Sequence, residues 1–269
     1  MVMGGGFKGA YCAGVLSTLC RELGPDYFDR VYASSVGSYV ATFYVANQPD
    51  FIENTWRNLV CGRQLFSLLH LFKWKDFLDL AYLKNIFSHK ESLLDINRVI
   101  NSHTKIEYLV TRKKDGKSKY ISPNKKYILD YMNASCSIPF FSEPVRIGKD
   151  EYIDGGFSGD LFLSKVIKDG CNEIIVVCNF MEGEYKNKLI KKIIRAFLVM
   201  FSPAMLQIAK SSSKKYGRFE KLIKDHKNIK IIRPKKPLPL KSIFDTNKER
   251  LNKTIDLGHR DALRFLKNS

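Results

Sequence analysis

The sequence predicts an α/β fold of three layers, with helices on both faces of a mostly parallel central sheet. Two observations predict it: a strand–turn–helix unit is written twice within the first 46 residues, and the chain is long enough to cover such a sheet. At 269 residues, 45% of them hydrophobic, it can bury one full core, and no internal repeat or long linker divides it. A single domain over residues 1–269 is therefore expected. The same composition excludes a disordered or low-complexity chain.

In chain order, Met1–Met3 reads as the tail of a short strand, followed by the glycine-rich turn Gly4–Gly9 and a helix through Arg21–Leu23 that Pro25 bounds. Val31–Ala33 reads as a second strand and Val36–Ala46 as a second helix. Residues 50–103 read as mainly helical, with aromatic-rich turns around Phe66–Trp74. Ile106–Arg112 and Lys119–Ile121 read as strands joined across a polar turn at Asp115-Gly116. Tyr127–Asn133 reads as a helix ending in the small-residue stretch Ala134–Ser137 before Pro139. Glu151–Ile153, Glu173–Cys178 and Ile229–Arg233 read as strands. Asn187–Val199, Pro203–Lys224 and Lys248–Leu266 read as helices.

Cys12, Cys20, Cys61, Cys136, Cys171 and Cys178 form no CxxC pair and no zinc spacing with histidine, so they read as reduced thiols of a cytoplasmic protein. No charged n-region with an apolar h-region opens the chain. No apolar run approaches the roughly 18 residues that span a bilayer; in the nearest, Ile193–Ala209, Arg195, Ser202, Pro203 and Gln207 interrupt. The net charge of +18 is uneven, because residues 184–250 hold 19 Lys or Arg against 5 Asp or Glu. That excess fits peripheral contact with an anionic membrane or, equally, a solvated lysine-rich exterior. No nucleic-acid motif accompanies it, so nucleic acid is not the expected partner.

Three local patterns carry chemistry. Gly4-Gly5-Gly6-Phe7-Lys8-Gly9 lies between a strand and a helix, where consecutive glycines let backbone N–H groups converge on negative charge. The letters also fit a dinucleotide fingerprint, which wants an acidic residue ending the second strand. Asp29 has the spacing but precedes that strand, which ends instead in Ser34-Ser35. Ala33-Ser34-Ser35-Val36-Gly37 sets a serine between strand and helix with small residues at −2 and +2, the pattern of a nucleophile elbow. The register of Gly37 selects Ser35; a serine helix cap is the plainer alternative. Tyr152-Ile153-Asp154-Gly155-Gly156 ends a strand in an acid and two glycines, which alone is an ordinary turn.

In that order and context, the three patterns resemble the patatin-like phospholipase family. Gly9-Ala10-Tyr11-Cys12-Ala13-Gly14-Val15-Leu16 looks like that family's first helix. Ala134-Ser135-Cys136-Ser137-Ile138-Pro139 resembles its small-residue loop, and Leu257-Gly258-His259-Arg260-Asp261-Ala262 is similar to its C-terminal helix pattern. Ala33, where the family has glycine, is one departure, and the very short first strand, with three residues before Gly4, is the other. The resemblance implies a patatin-like fold and a serine lipid acyl hydrolase, of phospholipase A or lysophospholipase type, with no cofactor and no metal. Asp154 would take the Ser35 proton, Ser35 would carry the acyl group, and amides of the Gly4–Gly9 loop would hold the oxyanion. Lys8 stands where the family places Arg or Lys, to assist a substrate phosphate or to pair with a carboxylate. None of His70, His89, His103, His226 and His259 follows a strand as a triad histidine would.

Phospholipid or lysophospholipid is the implied substrate. The stretch Phe66, Leu68, Leu69, Leu71, Phe72, Trp74, Phe77 and Leu78 fits an acyl slot or lid, and core packing equally well. Residues Lys186–Lys215 fit either an interfacial helix or a packed helical pair. The competing function is a catalytically impaired lipid- or anionic-surface-binding module of the same fold, with Ala33 as the sign of a drifted elbow.

Overall fold

The structure is a computed structural model that describes residues 1–61, 85–86, 93–139, 141–157, 162–184 and 216–268. The expectations for Phe66–Leu78, Asn187–Val199, Lys186–Lys215, His70 and His89 lie outside these residues, as does most of Pro203–Lys224.

Among the described residues the strands are β1 (Arg30–Ser34), β2 (Lys105–Arg112), β3 (Ser118–Ile121), β4 (Val145–Ile147), β5 (Asp150–Asp154), β6 (Ile174–Val177) and β7 (Ile229–Ile232). The pairs β1–β2 and β6–β7 are parallel. Met1–Met3 joins them: Val2 bridges in parallel to Ala33 and to Val177, and Met3 N–H donates to the Val177 carbonyl at 3.1 Å. β3 and β5 lie antiparallel to β2, and β4 antiparallel to β5, so the sheet is mixed, parallel in the half that carries the glycine turn and the elbow. β3 takes one edge of β2 from Tyr108 to Thr111. β1, opposite Lys105–Leu109, and β5, opposite Val110–Arg112, must therefore share the other edge end to end.

Helices cover both faces, as the sequence predicts. Successive strand residues point to opposite sides. Val31, Ala33, Ile175 and Val177 enter one core with α1 (Gly9–Leu23), α2 (Val36–Val45), α3 (Pro49–Asn54) and the C-terminal helix. Tyr32, Ile174 and Val176 enter a second with Phe162, Leu163, Val166 and Phe219. In chain order the later helices are α4 (Ile96–Asn101), α5 (Ile128–Cys136), α6 (Leu163–Lys168), α7 (216–225) and α8 (Lys248–Lys267). Fully buried side chains such as Leu19, Ile52 and Leu109 each stabilise such a core by about 1.5–3 kcal/mol.

Differences from the expected elements are local. β4 and α6, at three and six residues, are too short for a periodic signal. Helix α5 continues through Ala134, Ser135 and Cys136, because their small side chains fit beneath the elbow instead of ending the helix.

The α1–α8 crossing is a close backbone approach. A Cβ on Gly258 would lie 2.3 Å from the Tyr11 carbonyl, and one on Gly14 only 2.0 Å from that of Ile255. Around the crossing Tyr11 Oη donates to Asp261 at 2.9 Å, and His259 lies 2.7 Å from Thr18 Oγ1 and 3.3 Å from Glu53. Helix propensity alone makes Gly258→Ala stabilising by about 1 kcal/mol. The steric conflict reverses the sign, and we expect a loss of about 1–3 kcal/mol in urea denaturation. A variant at least as stable as the wild type would mean that the helices part without cost.

Candidate active site

The shared edge of β2 sets the site. Ser34 pairs opposite Leu109 at the carboxyl end of β1, and Asp154 pairs opposite the next residue, Val110, at the carboxyl end of β5. Asp154, the last residue of β5, and Ser35, the first after β1, are thus delivered to one point, and Ser35 Oγ donates to Asp154 Oδ2 at 2.6 Å. Both are buried, at 8% and 4% exposure.

Ser35 occupies a backbone conformation costly for a residue with a Cβ, φ 52° and ψ −138°. Its N–H donates to Ser135 Oγ at 2.7 Å, and its carbonyl accepts from Ser38 N–H at 2.8 Å, which opens α2. The N-terminal end of α2 consequently faces the seryl oxygen. Gly37 is required small because a Cβ there would stand 2.9 Å from the Val2 carbonyl. Ala33 is fully buried, its methyl taken up by the core beneath α1 and α2, so the departure from glycine leaves the elbow formed. Ser34 is turned to another use, its Oγ accepting the Gly4 N–H at 3.3 Å.

Asp154 is oriented at every polar atom. Its Oδ1 accepts Gly156 N–H at 2.6 Å, its N–H donates to the Ser137 carbonyl at 2.8 Å, and its carbonyl accepts Thr111 Oγ1 at 3.0 Å. Gly155 permits the approach, since a Cβ there would sit 2.2 Å from the Leu109 carbonyl. The Cys136 thiol is buried against this pair; burial, then the Asp154 carboxylate, push it well above the ordinary thiol range, and it stays protonated.

In the glycine loop most amides are already committed. Gly4 N–H goes to Ser34, Phe7 N–H to the Ile243 carbonyl at 2.9 Å, Lys8 N–H to the Gly5 carbonyl at 3.2 Å, and Gly9 N–H back onto Gly6 and Phe7. The N–H groups of Gly5 and Gly6 have no hydrogen-bond partner among the described residues. Gly6, at φ 56°, needs the left-handed freedom of glycine. A Cβ on Gly4 would be 2.3 Å from that of Ser35, so loop and elbow are in contact. Lys8 pairs with Glu184, whose other oxygen accepts Met181 N–H at 3.1 Å.

Several supporting residues were not identified from sequence. Ser135 Oγ, besides accepting from Ser35, donates to the Leu109 carbonyl at 2.8 Å and lies 3.0 Å from Ser38 Oγ. Asn179, fully buried after β6, donates to the Gly4 carbonyl at 3.1 Å, while its Oδ1 has no partner among the described residues. Asp245 binds Arg250 twice, at 2.6 and 2.7 Å, and accepts Lys241 and Asn247 N–H groups, which holds the turn that offers Ile243 to Phe7. Polar residues in helices and turns look alike in a single sequence. The Asp245–Arg250 spacing beside a helix start was the one available signal. Among the described histidines, His259 is held at the α1–α8 crossing and His226 bonds the Leu222 carbonyl.

A family model described as patatin-like phospholipase matches residues 1–165, a span that contains the glycine loop, the elbow and Asp154-Gly155-Gly156. The chain belongs to the patatin-like phospholipase family. A comparison with curated proteins finds no match. Against the solved structure of VipD from Legionella pneumophila, the chain is 12% identical with a TM-score of 0.49, over 99% of this chain and 66% of that one. This chain therefore spans slightly under two thirds of the VipD chain.

Two expectations follow from the supporting bonds. Ser135→Ala leaves the buried Ser35 N–H and Leu109 carbonyl unpaired, at about 1–3 kcal/mol each; a lowered urea midpoint is the outcome, and an unchanged one would remove Ser135 from this role. Asp245, held at about 2 chiefly by Arg250, contributes stability that is full above its ordinary value of 3.8 and fades as pH falls towards 2. Asp245→Asn should cost about 1–3 kcal/mol at neutral pH, and in denaturation curves the gap to wild type should close below pH 3.8.

Proposed function

We propose that this protein cleaves acyl esters of phospholipid or lysophospholipid through a Ser35–Asp154 dyad and an acyl-enzyme. The hydrogen bond of 2.6 Å between Ser35 Oγ and Asp154 Oδ2, at a serine with φ 52°, is the observation that carries the reading. Asp154 Oδ2 accepts the seryl proton as Oγ attacks the acyl carbon, and returns it to the leaving alkoxide. Water then follows the same route: Asp154 accepts its proton, its oxygen attacks the acyl-enzyme, and the fatty acid leaves as Ser35 is reprotonated.

Gly5 and Gly6, whose amides are uncommitted among the described residues, are the proposed oxyanion donors within the Gly4–Gly9 loop. A single preorganised donor of this kind is worth about 2.7–4 kcal/mol of barrier. Gly4 and Phe7–Gly9 shape the loop, and Lys8 braces it through Glu184. Ser34, Val36 and Gly37 shape the elbow. The described residues of 1–269 are proposed to act as one domain, since α8 lies across α1 and residues 243–245 support the glycine loop.

Ser35→Ala should abolish hydrolysis of a short-chain ester and labelling by a fluorophosphonate probe while leaving the thermal unfolding curve intact. Asp154→Asn should lower turnover by on the order of a thousandfold or more, by loss of a general base. Turnover surviving in Ser35→Ala would exclude this mechanism, and a wild type that neither labels nor turns over would favour the binding module.

A further inference from the structure

Met1–Met3, β1, β6 and β7 run parallel, so the chain leaves all four at the same edge of the sheet. Gly4, Ser35 and Asn179 follow the first three. Residues 233–245, Arg-Pro-Lys-Lys-Pro-Leu-Pro-Leu-Lys-Ser-Ile-Phe-Asp, follow β7. Three prolines stiffen this segment. Leu238 is buried and Leu240 packs against the main core, which fixes its inner side. Lys235, Lys236 and Lys241 are exposed on its outer side, with Ile243 40% exposed beside them. Asp245, the single carboxylate in the segment, is committed to Arg250 and leaves those charges uncompensated within it.

The segment is also the rim of the site. The Ile243 carbonyl accepts Phe7 N–H of the glycine loop, and the Phe244 ring lies 5.1 Å from that of Phe141, in the turn after Ser137, which holds Asp154. Its outward side therefore joins three cations and an aliphatic tip on a segment that is bonded to the glycine loop.

We infer that residues 235–243 dock the site onto an anionic phospholipid bilayer, with Lys235, Lys236 and Lys241 on the headgroup phosphates and Ile243 in the interface. The placement rests on the fold; the choice of partner rests on the acyl-hydrolase reading. A stiff, anchored segment gives up little conformational freedom on docking. Polynucleotide would use the same charges but favours aromatic platforms, and the Phe244 ring is already against Phe141.

The test compares wild type with the triple variant K235Q/K236Q/K241Q, whose altered side chains lie outside the catalytic groups. Flotation with phosphatidylcholine vesicles, with and without phosphatidylserine, is read beside turnover of a soluble short-chain ester. Wild type should bind the phosphatidylserine vesicles alone. The variant should bind them weaker by on the order of a hundredfold, at about one kcal/mol for each lysine, with soluble turnover unchanged. Ile243→Trp should show a blue-shifted emission on those vesicles only. Equal vesicle binding by the variant, equal binding to neutral vesicles, or preference for polynucleotide overturns the docking and leaves the hydrolase reading intact. Salt-sensitive vesicle binding with no ester turnover in wild type does the reverse.

Discussion

Two strands that arrive from opposite directions share one edge of β2, and the rest of the site depends on that arrangement. β1 stops opposite Leu109 and β5 stops opposite Val110, so a hydroxyl and a carboxylate 119 residues apart in the chain meet at adjacent rungs of one ladder. Neither strand could slip by a residue without turning its core-facing side chains to the wrong face, which ties the spacing of the pair to the burial of Ala33, Tyr32 and Ile153. The geometry of the Ser35–Asp154 pair is thereby stabilised by the hydrophobic core and not by the pair itself.

At the junction of the strands the backbone is least comfortable, and polar bonds concentrate there. Ser135 satisfies the Ser35 amide and the Leu109 carbonyl at once, and Ser137 and Thr111 hold the main chain of Asp154. A buried serine in the last turn of a helix is usually a poor choice for helix stability. Its value at 135 is that a hydroxyl can both accept and donate in a space too small for an amide side chain.

Much of this was legible in the sequence because chemistry and chain punctuation coincide. Glycines that must turn tightly, a serine flanked by small residues and an acid before two glycines each mark a strand end, and α1, β1 and α2 fall within a residue or two of their expected bounds. What stayed hidden is pairing. Ser135, Asn179 and Asp245 act through partners at sequence separations of 100, 175 and 5; the family-like stretch around Ser135 and the spacing of Asp245 to Arg250 mark two of the positions, but neither names a role, and Asn179 carries no mark at all. The polar turn at Asp115-Gly116 joined β3 to β2, but β4 and β5 were silent on their neighbours, since a short strand does not announce which edge it will join. The parallel half was readable because the strand–helix rhythm itself imposes it.

Three groups that hold the glycine loop, two side chains and one carbonyl, come from beyond the portion matching the family. Asn179 on Gly4, Glu184 on Lys8 and Ile243 on Phe7 all lie after residue 165. Ser35 and Asp154 thus reside in the recognisable portion, while these three supports of the loop come from the part of the chain after residue 165. Relatives that keep the first portion and diverge in the second would inherit the same reactive pair under a differently strung canopy. Transplanting residues 1–165 into another scaffold would carry the pair across without the contacts that hold the loop above it.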